Sequence, residues 1–125
     1  MSSLLIPKTD KTPAIDFNEG ILKISGRSIT EDPTRFYKPV KEWINEYGKN
    51  PPAHTQVHFK IEYSDTGSSK SLLDILKLLD SIHTHDNTFS VSWFFEEGDD
   101  DMYDQGVYFK TFVSLPFEFV ELDEI

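Results

Sequence analysis

Cysteine is absent from the 125 residues, which removes disulfides and thiolate catalysis and gives no sign of an oxidising compartment. Long hydrophobic runs are absent too, and nothing approaches the roughly 20 consecutive apolar residues that cross a bilayer. The amino-terminal stretch MSSLLIPKTDK lacks a basic region followed by a long apolar run, so it does not read as a signal peptide. The expected address is the cytoplasm. The common catalytic signatures are missing: no HExxH zinc pair, no phosphate-binding glycine loop, no GxSxG elbow. Basic charge is scarce and scattered. Twelve Lys and Arg stand against 22 Asp and Glu, for a formal net charge of −10. Such a chain repels nucleic acid and anionic membranes, and suits a basic protein surface better.

Aromatic residues, by contrast, are plentiful. Ten Phe, five Tyr and two Trp, within a hydrophobic content of 38%, supply the core of one domain. The organising stretch is Val57 to His83. Val57, Phe59, Ile61 and Tyr63 alternate with His58, Lys60 and Glu62, which is the period of a strand. From Leu72 the period changes, and Leu72, Ile75, Leu76, Leu79 and Ile82 mark one face of a helix. Between them, Asp65 to Lys70 reads as a tight polar loop that Gly67 allows to turn sharply. Ser68 or Ser71 is the expected helix cap, with Ser71-x-x-Asp74 as a capping-box variant.

Residues 1–11 read as a frayed lead-in. Ala14–Phe17 and Ile21–Ile24 read as two strands of a hairpin around Asn18-Glu19-Gly20. A helix is expected from about Thr34 to Tyr47, capped by Asp32, interrupted by Pro39 and ended by Gly48. Phe89, Val91, Trp93 and Phe95 mark another strand. Val107–Val113 reads as a further strand, with an edge-like piece after Pro116, and residues 121–125 as a frayed tail. Residues 1–125 are thus one α/β domain. The order is ββαβαββ: a mixed sheet with two main helices packed mainly on one face, and a parallel βαβ unit at its centre. Trp43 and Trp93 are expected to be largely buried.

The chemistry candidates each have a plain structural alternative. The acidic run Glu96–Asp104 could bind a divalent cation or a small ligand through its oxygens, but it lacks calcium-loop spacing and reads first as a solvated loop. The four histidines form no zinc pattern. Arg27 and Lys70 could counter a phosphate, or each could sit in a surface ion pair. Nothing pairs a nucleophile with a base. No catalytic residue, metal ligand or cofactor is therefore expected. A hydroxyl at the start of the Leu72–Ile82 helix could cap it, or carry a phosphate that the helix dipole tolerates.

Several ordered motifs carry a resemblance. Thr12-Pro13, Gly26-Arg27-Ser28, and Phe36-Tyr37-x-Pro39 with Trp43 and Tyr47 resemble the SiaC-type regulatory phosphoproteins of bacteria. So do Glu62-Tyr63-x-x-Thr66-x-Ser68-Ser69-Lys70, Val91-x-Trp93, and Asp99-Asp100-Asp101-Met102 followed by Gly106. The resemblance runs from Thr12 to Phe117, and the layout is also similar to the STAS-like anti-sigma-factor antagonists. It implies a partner switch without enzymatic activity. In such modules a dedicated Ser/Thr kinase modifies the loop, a metal-dependent Ser/Thr phosphatase reverses this, and the unmodified protein binds and stimulates a diguanylate cyclase. Carried over, the phosphosite is Thr66, with Ser68 and Ser69 as runners-up. Asp65, Gly67, Ser68, Ser69, Lys70 and Arg27 become the partner-facing residues. The chain departs from the family pattern at Ser64-Asp65-Thr66-Gly67, usually Phe-Asn-Thr-Ser, and at Val107, where an acidic residue is usual.

Overall fold

Period-two alternation of apolar and polar residues marks the strands here, and the inner four bury one side fully while the two edge strands bury it in part. In the computed structural model, which describes residues 1–125, these are β1 (Leu4–Ile6), β2 (Ala14–Asn18), β3 (Ile21–Ser28), β4 (His54–Ser64), β5 (Thr88–Glu96) and β6 (Phe117–Leu122). They form one sheet in sequence order, β1-β2-β3-β4-β5-β6. The first two pairings are antiparallel and the remaining three are parallel. Each parallel step needs a crossover, and the helices α1 (Pro33–Tyr47), α2 (Thr66–Ile82) and α3 (Asp100–Lys110) supply them. Successive crossovers of one hand, each moving one strand in the same direction, put every helix on the same face.

That face holds the core. Ile15 and Phe17 of β2, Leu22 and Ile24 of β3, Val57, Phe59 and Ile61 of β4, and Phe89, Val91 and Trp93 of β5 are all buried. The helices answer with Tyr37, Val40 and Ile44 from α1, Leu72, Ile75, Leu76 and Leu79 from α2, and Met102 and Phe109 from α3. The opposite face is mainly polar: the register aligns Asp16, Lys23, His58, Ser92 and Glu118 across it, with Phe94 and Val120 paired beside them. Partial burial, together with Lys23 and Lys60, lowers the pKa of His58 there.

Six expectations need correction. The stretch 107–113 is not a strand: α3 covers Asp100–Lys110, so the helices number three and the order is βββαβαβαβ. Its Val, Tyr and Phe residues have strand propensity, but burial at Met102, Gly106 and Phe109 has helical spacing. Gly106 lies so close to the sheet that a Cβ would stand 2.5 Å from Trp93 Nε1. The Trp93 indole in turn donates to Met102 O at 3.0 Å. The acidic run is therefore a short turn over residues 97–99 followed by helix. Asp99 caps α3, and Asp100 and Asp101 occupy its first turn, where carboxylates offset the dipole.

Pro39 does not interrupt α1, which runs unbroken from Pro33 to Tyr47. One missing backbone donor is outweighed by the burial of Tyr37 and Val40 on either side of it. The lead-in contains a strand, because Leu4 and Ile6 pair with β2 and pack on the core. Trp43 stacks on Tyr47 and donates to Ser2 O at 2.9 Å, which holds the amino-terminal segment down. It is half-buried, whereas Trp93 is wholly inside. Finally, β6 extends to Leu122, so Glu121 and Leu122 belong to the sheet.

Candidate functional site

Parallel connectivity dictates where a site can form. β3, β4 and β5 are parallel and each leads into a helix, so α1, α2 and α3 all begin at the carboxyl edge of the sheet. Ligand and regulatory sites of open α/β sheets gather at this edge. Each helix start leaves free N–H groups and a partial positive charge. This chain meets all three with aspartate. Asp32 accepts from Arg35 N at 3.1 Å, Asp65 from Ser68 N at 2.8 Å, and Asp99 from Met102 N at 3.0 Å.

The Asp65–Lys70 stretch is thus helix, not loop, and Asp65 is the cap in place of Ser68 or Ser71. Thr66 and Gly67 are the first helical residues, and both are exposed. Gly67 does not have a positive φ. Its reason is proximity, since a Cβ there would stand 3.2 Å from Pro33 Cγ at the start of α1. Ser68 was expected to face a partner, but its side chain is fully buried and its Oγ has no hydrogen-bond partner. Ser71 is buried beside it. Lys70 is exposed one turn after Thr66, the spacing at which helical side chains meet. Arg27, at the end of β3, is also exposed and stands opposite Tyr63 of β4.

Behind Thr66 the structure brings together residues the linear sequence did not connect. Ser69 Oγ lies 2.7 Å from Ser64 Oγ and accepts from Gln105 Nε2 at 2.8 Å. This ties the start of α2 to the end of β4 and to α3. Ser64, Tyr63, Asp99, Asp101 and Gln105 line a shallow pocket at this junction. Gln105 could not be anticipated once its segment was read as loop and strand. On the other side, Asp65 N donates to Ser28 O at 3.0 Å. The buried hydroxyls of Ser28 and Tyr37 are 2.7 Å apart. Burial pushes the Tyr37 phenol up to about 12, with the Ser28 bond opposing and nearby Asp65 adding to the rise. It stays a neutral hydrogen-bonding group at any ordinary pH.

No group of three His, Asp or Glu side chains converges as a metal site; Asp99 caps α3, and Asp100 and Asp101 occupy its first turn. No helix is long and apolar enough to cross a membrane. At the start of α2 the edge presents the exposed Thr66 hydroxyl with the unpaired Lys70 one turn on, and at the start of α1 it presents the exposed Thr34 hydroxyl.

Comparison with known proteins gives this edge a context. An uncharacterized protein of Pseudomonas aeruginosa (strain UCBPP-PA14) is 29% identical over 126 residues, spanning 99% of this chain and all of that one. The crystal structure of apo-SiaC from Pseudomonas aeruginosa superposes with a TM-score of 0.87 at 27% identity, covering 96% of this chain and 99% of that one. SiaC is also similar as seen in the crystal structure of the diguanylate cyclase SiaD in complex with its activator SiaC. There the TM-score is 0.88 at 26% identity, over 95% of this chain and 99% of that one. Residues 6–122 match the family described as SiaC family regulatory phosphoprotein. The chain belongs to the SiaC family of regulatory phosphoproteins.

Proposed function

We propose that this chain is a non-enzymatic partner switch, which binds and activates a diguanylate cyclase while Thr66 is unmodified and releases it when Thr66 is phosphorylated. A dedicated Ser/Thr kinase adds the phosphate and a metal-dependent Ser/Thr phosphatase removes it. The observation that carries this reading is the exposed Thr66 hydroxyl at the first position of α2, in a family of regulatory phosphoproteins. Ser68 is buried and Ser69 is held by Ser64 and Gln105, so Thr66 is the hydroxyl a kinase reaches without opening the helix. SiaD supports the choice of partner class, since it is a diguanylate cyclase bound by its activator SiaC in a fold this similar.

The switch works through the interface. Phosphate adds about −1.5 to −2 charges at pH 7. In the free chain the helix start and Lys70 accommodate that charge and water solvates it. Pressed against a partner beside Asp65, the same charge is desolvated and repelled. Asp65, Gly67, Ser69, Lys70 and Arg27 form the rim of the docking surface. Ser68 contributes only by packing beneath it.

The test is mass spectrometry of the chain after incubation with its kinase, followed by cyclase binding and activity. Phosphate on Thr66 with lost binding is the expected result, and Thr66→Ala should bind constitutively. Phosphorylated protein that binds as tightly as unmodified protein refutes the switch. Phosphate found only on Ser69 refutes Thr66 as the site.

A further inference from the structure

Of the seven large apolar side chains that the chain exposes, Met1, Leu5 and Tyr63 lie apart, and the other four are gathered in one place. Tyr103, Val107, Tyr108 and Phe112 all lie on α3 or the turn after it. Tyr103 leans on Phe95 and Phe119 of the sheet. The others do not have that cover. Tyr108 is 59% exposed, and Val107 and Phe112 are each 43% exposed. Tyr108 and Phe112 meet edge to face with centroids 5.0 Å apart.

Side-chain contacts locate these rings along the seam where α2 and α3 run side by side. Ser69 bonds Gln105, Lys77 Nζ sits 5.0 Å from the Phe112 ring centre, and Asp80 Oδ1 accepts from Ser114 N. Gln105, Tyr108 and Phe112 are three and four apart on α3 and its continuation. Ser69, Leu73 and Lys77 are four apart on α2. The seam therefore starts beside Thr66 and continues along α2 to Asp80, about 16 Å at 1.5 Å per residue. That matches three turns of a helix laid into it.

Charge says what kind of helix. Lys70 and Lys77 border the α2 side, both exposed. Neither is in an ion pair; those of this chain use Lys8, Lys41 and Lys49. The α3 side is bordered by Asp101 and Asp104, one turn before Gln105 and Tyr108, and Asp80 closes the far end with its carboxylate accepting from Ser114 N. The Debye length at physiological salt is about 8 Å, so these neighbours outweigh the distant net charge.

We propose that the α2–α3 seam receives an amphipathic helix of the cyclase partner. The apolar stripe of that helix covers Tyr108 and Phe112, and carboxylates on one flank face Lys70 and Lys77. This deepens the partner-switch reading and rests on it. It also gives Lys70 a second role. A phosphate on Thr66 draws Lys70 back along its own helix, so the modification removes one cation from the groove at the moment it adds repulsion.

The experiment is calorimetric titration of the unphosphorylated chain with the purified diguanylate cyclase from the same genome that is most similar to SiaD. The double variant Tyr108→Ser, Phe112→Ser should weaken binding at least about tenfold. Its thermal unfolding temperature should fall only slightly, because Tyr108 is 59% and Phe112 43% exposed. Lys77→Glu should weaken binding too, with a loss that shrinks as salt rises, whereas Asp104→Asn should not weaken it. A double variant that binds like the parent, while phosphorylation still abolishes binding, overturns the seam and leaves the switch standing. Failure of the parent chain to bind that cyclase overturns both. A dimer of the chain alone that the double variant splits, seen in sedimentation, would assign the seam to a second copy and overturn the cyclase helix.

Discussion

The starts of α2 and α3 are built alike and finished differently. Both follow the carboxyl end of a parallel strand, and both are capped by an aspartate that accepts from the backbone N–H three residues on. In α3 the first turn then carries Asp100 and Asp101, so its positive end is met by fixed charge, and Lys110 answers at the other end. In α2 the first turn carries no acidic residue, only Thr66, Gly67 and Ser68. A helix start left without fixed charge beyond its cap has room for a charge that comes and goes. The lesson is that a regulated site can share its scaffold with a structural one, and differ only in which side chains fill the first turn.

The comparison breaks most severely if α3 is pulled off the sheet. Trp93→Ala should destabilise the fold by about 3–5 kcal/mol, measured by denaturant midpoint, because a fully buried ring and its bond to Met102 O are both lost. Gly106→Ala should cost about 1–3 kcal/mol by overpacking against the same ring. It should also loosen Gln105 from Ser69, seen as faster amide exchange at the start of α2. If that exchange is unchanged, the two helix starts are not coupled as the hydrogen bonds imply.

Removing the caps compares the two starts directly. Asp65→Ala and Asp99→Ala should each cost about 0.5–2 kcal/mol. Asp65→Ala should cost more, since α3 keeps two further carboxylates and α2 keeps none. Equal losses would mean that the first-turn aspartates contribute nothing to α3.

Alkaline titration sharpens the α2 side. The folded pKa of Tyr37 is raised to about 12 from an ordinary value of 10.0, so folding favours the neutral phenol. The associated stability is complete below pH 10.0 and is lost as pH climbs towards about 12. Tyr37→Phe should abolish that part of the alkaline loss. At neutral pH the same change should cost about 1–3 kcal/mol, because the Ser28 hydroxyl is buried and left unpaired.

The smallest stability effect expected is at the switch. Thr66→Asp should change folding by about 0.5 kcal/mol or less, since the position is exposed and the dipole favours negative charge. Its effect should appear in partner binding instead. A large loss of stability would mean that the α2 start is already saturated by Asp65.

The alternation Val57–Tyr63 followed by the helical spacing Leu72–Ile82 sufficed to identify β4 and α2, because both periods come from covalent geometry and need no partner. Asp32 before Pro33 and Gly20 in the hairpin were legible for the same reason: each answers a local backbone demand, and Gly20 has φ 87°. The ordered motifs pointed to the family and to Thr66. Tertiary structure decided the rest. Whether Val107–Val113 is strand or helix depends on Gly106 meeting Trp93, a contact across distant sequence that overrides strand propensity. Which serine beside Thr66 is accessible depends on burial, which put Ser68 inside and tied Ser69 to Gln105. The seam of exposed rings between α2 and α3 exists only because two helices far apart in the chain are laid side by side on one face of the sheet. Local periods are written in the chain, whereas the surfaces available to partners arise only once packing has covered everything else.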